Sequence, residues 1–237
     1  MSLPTLDIPK YETTLPFSKQ KVQFRPFLVK EEKIMIMAGA SNDPKEIEMA
    51  VQQVLENCTF GELDIESQAK VDIEWLVLEL RRRAKGKNVE LSYKCVNDVG
   101  GHECGNAVDI EVSLDSVKYV GTDTNPVIKL SNGIGIKMKA LSLAEESALS
   151  TDSIQESYDR IIASIDMIFK DEEIWYPKDV SREELENFIE HFNDKQMAEV
   201  TDFVKNAPHL ELPITFRCQK CGYHDNVNLE GVNNFFE

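Results

Sequence analysis

The sequence lacks any long apolar run. Stretches such as Ile34–Ala38 are far shorter than the roughly 20 residues that a membrane-spanning helix requires. The segment Met1–Pro4 has no basic region followed by an apolar stretch, so it does not resemble a secretory signal. We therefore expect no membrane span and a location in a cytoplasm. The length of 237 residues suits one large domain or two small ones with a core of their own.

Common catalytic signatures are missing as well. The chain has no Walker-type phosphate loop, no Gly-x-Ser-x-Gly elbow and no His-Glu-x-x-His. Gly133-Ile-Gly135 matches half of a dinucleotide fingerprint, but it follows an Asn-Gly turn signal that predicts a hairpin. Adjacent acids such as Glu31 and Glu32 are typical of solvated helix faces. We expect a protein that is not an enzyme. A hydrolase with a site hidden from the sequence stays an alternative, for which a deep polar pocket would be the sign.

Basic residues are scarce relative to acids. The 26 Lys and Arg residues face 42 Asp and Glu residues, which gives a net charge of −16. Such an excess repels phosphate backbones, so we expect no nucleic-acid partner. The richest basic cluster, Arg81–Arg83 with Lys85 and Lys87, ends a predicted helix before Gly86. We interpret these cations as complementing the negative end of the helix dipole.

Disulfide bonds are not expected, because the number of cysteines is odd, at five, and no export signal is present. Metal binding and inert burial are the two remaining roles for these cysteines.

Periodicity predicts an α+β fold. It has an N-terminal hairpin and helices, a central small antiparallel sheet with a zinc-ribbon-like four-cysteine site, and C-terminal helices. We divide the chain into regions 1–86, 87–140, 141–211 and 212–237. The predicted strands are 10–15, 20–25, 89–93, 108–114, 127–130, 134–138 and 227–229. The predicted helices are 29–40, 44–58, 65–83, 152–170, one opened by a capping box at Ser181, and 194–206.

Two distant segments share one pattern around their cysteines. Leu91-Ser-Tyr-Lys-Cys95 and Ile214-Thr-Phe-Arg-Cys218 both read apolar, hydroxyl, aromatic, base, cysteine. Each is followed by a second cysteine with a glycine after it, Cys104-Gly105 and Cys221-Gly222, and then by an alternating strand. Glycine after the second cysteine allows a positive φ, so that backbone amides can point back at the thiolate.

This repeat predicts a metal site. Zinc prefers four soft ligands in a tetrahedron, and two such turns supply two thiolates each. We predict one structural zinc per chain bound by Cys95, Cys104, Cys218 and Cys221, with pairing of the two turns into a common sheet. Four protein ligands leave no open position for catalysis. The alternative is two unrelated pairs of cysteines.

Other residues near the turns receive simpler interpretations. His102 and His224 lie within or beside the turns, and we interpret them as solvated residues or hydrogen-bond donors around the site. Replacement of a cysteine ligand by either histidine is the alternative. Cys58, at the end of a helix, is interpreted as a small packing residue.

Two segments are candidates for contact with a partner protein. The N-terminal hairpin and first helix combine large apolar groups with a basic rim in an otherwise acidic chain, which suits an acidic or helical partner. Aromatic residues at the end of the sequence are further candidates, because buried aromatics dominate interface energetics. Burial of either segment within its own domain stays open. The predicted partner-binding residues are Phe24, Arg25, Phe27, Lys30, Lys33, Phe235 and Phe236.

Several segments together resemble a baseplate protein family of T-even contractile-tailed bacteriophages. The resemblance extends over nearly the whole chain, although each motif alone is only moderately specific. It is carried by Lys10–Pro16, Val22–Glu32, Asp72–Trp75 with its basic tail, the strand and cysteine segment 91–112, Ser181–Ile189, and the ending from Cys218 through Phe236.

The family includes a baseplate hub subunit and a related hub-assembly catalyst, where "catalyst" means an assembly factor. The resemblance therefore implies a role in building the baseplate hub through contacts with other phage hub or tail proteins. It implies a location in the cytoplasm of the infected bacterium or in the virion tail baseplate. Phe24–Glu32 also resembles the start of tail-assembly chaperones for a tape-measure protein. A zinc-ribbon protein that binds nucleic acid is the remaining alternative, against which the net charge argues.

Overall fold

The computed structural model describes residues 6–41, 43–121, 126–130, 133–149 and 153–231. The chain forms two compact units. The first contains the chain up to residue 65 together with 71–120 and the segment from 209 onward, and the second contains 66–70 and 121–208. No helix in these described ranges is long and apolar enough to span a membrane.

The first unit opens with the predicted hairpin and three helices. Strand β1 (Tyr11–Thr14) pairs antiparallel with β2 (Lys21–Phe24). Helices α1 (Val29–Ser41), α2 (Pro44–Cys58) and α3 (Lys70–Lys85) follow, and α3 begins later than its periodicity predicted. The buried Asp72 on α3 accepts hydrogen bonds from the backbone amides of Phe17 and Ser18, at 2.8 and 2.9 Å. These hydrogen bonds link the turn between β1 and β2 to α3.

Two separate sheets complete the first unit. Strand β3 (Asn88–Lys94) pairs with β4 (Ala107–Ser113), and β10 (His209–Arg217) lies between β5 (Lys118–Val120) and β11 (His224–Glu230). The prediction that the two cysteine segments share one sheet is therefore wrong. They meet through side chains instead, with the rings of Tyr93 and Phe216 at a centroid distance of 4.4 Å.

The second unit is a four-stranded antiparallel sheet with helices. The strand order is β6 (Val127–Lys129), β7 (Ile134–Met138), β8 (Ile165–Lys170) and β9 (Glu173–Trp175). The sequence-based division had placed the first two strands with the first cysteine pair, whereas here they belong to the second unit. The helices are α4 (Leu143–Ser147), α5 (Ser153–Ala163), α6 (Arg182–Glu190) and α7 (Asp194–Lys205), and the core includes Ile136, Met138, Ile165, Leu185 and Val200.

The predicted helix over 152–170 is wrong in its second half. Helix α5 ends at Ala163, and the chain continues as strand β8. Isoleucines at 161, 165 and 168 fit a helical period, but β-branched residues also favour strands. Asp171, at a φ of 51°, reverses the chain into β9, so pairing on both edges of β8 overrides the helical pattern. The capping boxes at Ser142, Ser181 and Asn193 fix the starts of the other helices.

A buried ion pair lies between the hairpin and α1. Arg25 donates to both carboxylate oxygens of Glu31, at 2.9 and 3.3 Å, and the Leu28 amide donates to the same carboxylate at 2.9 Å. Burial opposes ionisation of this carboxyl, but the hydrogen bonds outweigh it and lower the pKa of Glu31 to about 2. Arg25 also donates to the Pro26 carbonyl. Inside the first unit, the guanidinium and the carboxylate thus neutralise each other's charge and provide each other's hydrogen bonds.

Replacing Arg25 tests this pair. In Arg25→Met the Glu31 carboxylate stays buried without its cation, which should lower the free energy of unfolding by about 3–5 kcal/mol. Urea denaturation of the two proteins measures the difference. Lys21→Met is the matched control, because Lys21 and Glu12 form an ion pair with side chains 71% and 52% exposed. Its loss should be no more than about 1 kcal/mol. Equal losses in both variants would contradict the role assigned to Arg25.

Gly135 tests the packing of the second unit. It lies opposite Phe169 across β7 and β8, and a Cβ atom on Gly135 would stand 2.8 and 2.9 Å from the ring atoms Cε2 and Cε1. Gly135→Ala should displace the ring and destabilise the unit by about 1–3 kcal/mol. Gly39→Ala, in α1 with no atom within 4 Å, should instead stabilise by about 0.5–1 kcal/mol. In thermal denaturation, Gly135→Ala should lower the melting temperature and Gly39→Ala should raise it.

Candidate metal centre and protein-binding surface

The first cysteine turn leaves the end of β3 and returns at the start of β4. The amide of Cys95 donates to the Asn106 carbonyl at 2.9 Å, and the amide of Cys104 donates to the Asn97 carbonyl at 2.8 Å. Gly105 has a φ of 62°, and its amide donates back to the Cys95 carbonyl at 2.9 Å. These bonds hold both thiols on one side of the loop, although eight residues separate them in the sequence.

The second turn, between β10 and β11, repeats this backbone arrangement. The amide of Gly222, at a φ of 75°, donates to the Cys218 carbonyl at 2.9 Å. The amide of Cys218 donates to the Tyr223 carbonyl at 2.8 Å. The shared sequence pattern therefore corresponds to a shared turn geometry, in which the glycine after the second cysteine bonds back to the first.

The two turns face each other and bring four sulfur atoms together. The Sγ atoms of Cys95 and Cys221 are 3.7 Å apart, and those of Cys104 and Cys218 are 3.8 Å apart. All four lie within 4.8 Å of one another. A tetrahedron with Zn–S bonds of about 2.3 Å has S–S edges of about 3.8 Å, whereas a disulfide requires about 2.05 Å. The arrangement therefore fits four ligands around one ion.

The surroundings of the sulfurs suit a buried charged centre. Cys95, Cys104 and Cys218 are buried, and Cys221 is partly exposed. The side-chain amide of Asn97 lies 3.7 Å from the Cys221 sulfur, and that of Asn106 lies 3.7 Å from the Cys218 sulfur. Such donors stabilise thiolates and orient them toward a metal.

The thiols of Cys95 and Cys218 differ in acidity because different groups surround them. Backbone amides of Cys221 and Lys220 donate to the Cys218 sulfur and lower the pKa of Cys218 to about 6. Cys95 receives an amide hydrogen bond from Asn97, which lowers its pKa, but burial and the neighbouring thiols outweigh that bond and raise the pKa of Cys95 to about 12. Cys218 therefore ionises more easily than Cys95, and a cation among the sulfurs would favour the thiolate form of all four.

The two histidines near the turns and the fifth cysteine do not belong to the four-sulfur group. His102 and His224 are exposed and do not belong to the four-sulfur group. Cys58 is buried at the end of α2, where its sulfur lies 3.9 Å from Arg25 Nη1. Burial raises the pKa of the Cys58 thiol to about 11.

The predicted partner-binding residues divide into three groups. Lys30 and Lys33 are exposed and Phe27 is half-buried. Phe24 and Arg25 are buried, so the prediction that they contact a partner is corrected: Phe24 packs in the core of the first unit and Arg25 pairs with Glu31. Phe235 and Phe236 lie outside the described residues.

The structure adds an apolar surface that the sequence did not delimit. On α1 the side chains of Val29, Ile36 and Met37 are 67%, 65% and 75% exposed. Beside them lies a groove of about 400 Å³ between α1, α2 and α3. Its lining consists of Phe27, Glu32, Met35, Ile36, Val51, Val54, Leu55, Val77, Leu80, Arg81 and Lys85. In the sequence, the large apolar residues of the first helix indicate a surface in this region but do not define its extent.

Comparison with known proteins gives one family. A protein-family model described as T4 bacteriophage base plate protein matches residues 8–237, which is nearly the whole chain. Searches of curated proteins and of solved structures found no match. The extent of the family match agrees with the resemblance carried by the hairpin, the cysteine segments and the region around Ser181. The chain belongs to the T4 bacteriophage base plate protein family.

Proposed function

We propose that this protein is a component or an assembly factor of the tail baseplate hub, and that it acts by binding other phage proteins rather than by catalysis. The observation that carries the proposal is the exposed apolar face of α1, in a chain that belongs to a baseplate family. A structural zinc bound by the four cysteines is the second part of the proposal.

Helix α1 is apolar on more sides than its own unit can cover. Glu31 and Ala38 are buried and Ile34 is half-buried, so one face already meets the core. The opposite side carries Ile36 and Met37, both largely exposed. A surface helix normally turns its second face to water with polar residues, whereas a helix that is apolar all round is normally buried. A partner protein would cover the second face.

The groove beside this face suits a helical segment. Its lining is mostly apolar, and it includes Lys85 and Glu32, which form an ion pair at 2.6 Å. Apolar side chains spaced along one face of a partner helix can fill such a groove. Exposed Lys30 and Lys33 add positive charge to the same helix in a chain of net charge −16, which favours an acidic partner.

Zinc would act as a structural element in this proposal. Four thiolates fill its coordination sphere and leave no position for substrate. It would join the turn after β3 to the turn after β10 and so hold the C-terminal strands to the middle of the chain. The binding surface on α1 would then be presented by a unit whose distant segments are fixed together.

Metal analysis tests the zinc site. Protein purified without chelators should contain about one zinc per chain, and Cys218→Ser should lose it. Structural zinc contributes on the order of 10 kcal/mol to folding in small zinc-finger peptides. We therefore expect the variant to show a lower melting temperature and faster amide exchange in 209–230.

Cys58→Ser is the matched control for that experiment. Cys58 is as buried as Cys218 but is not part of the four-sulfur group. It should retain full zinc content whatever its effect on stability. Full zinc and an unchanged melting temperature in Cys218→Ser would refute the site.

Charge introduction on α1 tests the binding surface. Because Ile36 is 65% exposed, Ile36→Glu should leave solubility, zinc content and melting temperature nearly unchanged. It should reduce the assembly of baseplate hubs when the variant replaces the normal protein during infection, because a carboxylate would be buried at the interface. The measurement is the yield of complete baseplates by electron microscopy.

Ile174→Glu, at a residue 51% exposed in the second unit, is the control substitution. It should leave hub assembly at the normal level. Normal assembly with Ile36→Glu would remove α1 from consideration as the binding surface.

The groove also favours a second candidate function, that of a tail-assembly chaperone which holds a helical segment of a tape-measure protein. Both functions use the same surface. They differ in the fate of the protein, because a hub component remains in the purified virion and a chaperone is absent from it. Mass spectrometry of purified virions therefore identifies a hub component. If the protein is absent from virions, the proteins that copurify with it from infected cells decide: a chaperone should bring down the tape-measure protein, and a hub assembly factor should bring down hub proteins.

A further inference from the structure

We propose a second metal site, formed by His209, Glu211 and Glu230 on the outer face of the sheet β5–β10–β11, that binds a divalent first-row transition metal ion. This inference does not depend on the proposed function. It rests on strand register and on the chemistry of three side chains.

Strand geometry puts these three side chains on one face. Residues two apart on a strand point to the same side, which places His209 beside Glu211 on β10. Glu230 of β11 lies directly opposite Glu211 in the antiparallel register. The neighbouring residues Leu210 and Leu212 point the other way and are buried. The site therefore lies on the solvent side of the sheet, with the core behind it.

The ligand atoms are close enough to share one ion. His209 Nε2 lies 3.2 Å from Glu211 Oε1, and one ligand atom from each of the three residues lies within 4.8 Å of the other two. The side chains of His209 and Glu211 are only 26% and 21% exposed, so their positions are restricted before any metal binds. Asn228 donates to the second oxygen of Glu211 at 3.2 Å and orients that carboxylate.

The chemistry of the donors selects the class of metal. One imidazole nitrogen with two carboxylate oxygens is a mixed donor set suited to ions such as Mn²⁺ and Zn²⁺, unlike the four soft thiolates of the cysteine centre. Three protein ligands leave further positions for water. Directly opposed carboxylates destabilise a sheet, and a divalent cation between them would remove that repulsion. Lys118 on β5 is also opposite Glu211, but among the described residues no ion pair joins them.

A second pair of opposed glutamates supplies an internal control. Glu90 on β3 faces Glu111 on β4, and Asn88 donates to Glu111 at 2.7 Å, much as Asn228 donates to Glu211. This pair has no histidine beside it. If acidic charge alone attracted the metal, the two pairs would bind alike. If the imidazole completes the site, only the pair beside His209 binds.

Titration with Mn²⁺ followed by electron paramagnetic resonance tests the proposal. The full-length protein is first given one equivalent of zinc per chain, which the four thiolates bind in preference to the mixed site. Physiological salt is present to screen non-specific attraction to the acidic surface. We expect about one Mn²⁺ bound per chain. His209→Gln and Glu230→Gln should each weaken its affinity about tenfold or more. Glu90→Gln should leave the affinity unchanged.

Zinc content and circular dichroism of each variant separate loss of the site from loss of the fold. Because Glu230 is exposed, Glu230→Gln should fold normally even if His209→Gln does not. The proposal is overturned if no Mn²⁺ binds, if Glu230→Gln binds it as tightly as the unmodified protein, or if Glu90→Gln weakens binding to the same extent.

Discussion

The first unit depends on contact between two cysteine-bearing turns, one after β3 and one after β10. The sulfur pairs that meet are 126 and 114 residues apart in the chain. Bringing such distant segments together has an entropic cost that grows with the length of the intervening loop. Much of that loop is the second unit, which has its own sheet and its own core. A metal ion bound by four thiolates would offset this cost, because its binding free energy is available only when all four ligands have met.

Backbone hydrogen bonds within each turn position its two thiols. In both turns a glycine amide bonds back to the carbonyl of the first cysteine. The strands that carry the turns belong to separate sheets, and contact between the tilted rings of Tyr93 and Phe216 joins them instead. Side-chain packing and sulfur geometry therefore hold the two segments together where a continuous sheet was expected.

The N-terminal part of the first unit contains both a buried ion pair and exposed apolar side chains. Arg25 and Glu31 satisfy each other in the interior, where breaking either partner would leave a buried charge. Ile36 and Met37 remain exposed on the same helix, where they contribute little to the fold of the isolated chain. Glu31 and Ile36 are thus close in the sequence but differ in burial, because the helix turns them to different sides.

The sequence by itself determined the α+β class, the hairpin, most helices and the four-cysteine group. These features depend on local signals: alternation, capping residues such as Ser181, and a repeated pattern around Cys95 and Cys218. The family resemblance was also visible in the sequence, since it is spread over nearly the whole chain. Tertiary structure alone decided the features that depend on distant neighbours. Ile165–Lys170 became a strand because β7 and β9 pair with it on both edges. Arg25 became an interior residue because Glu31 folds back onto it. His209 and Glu230 met because strand register places them on one face, and no spacing along a single chain segment encodes that encounter.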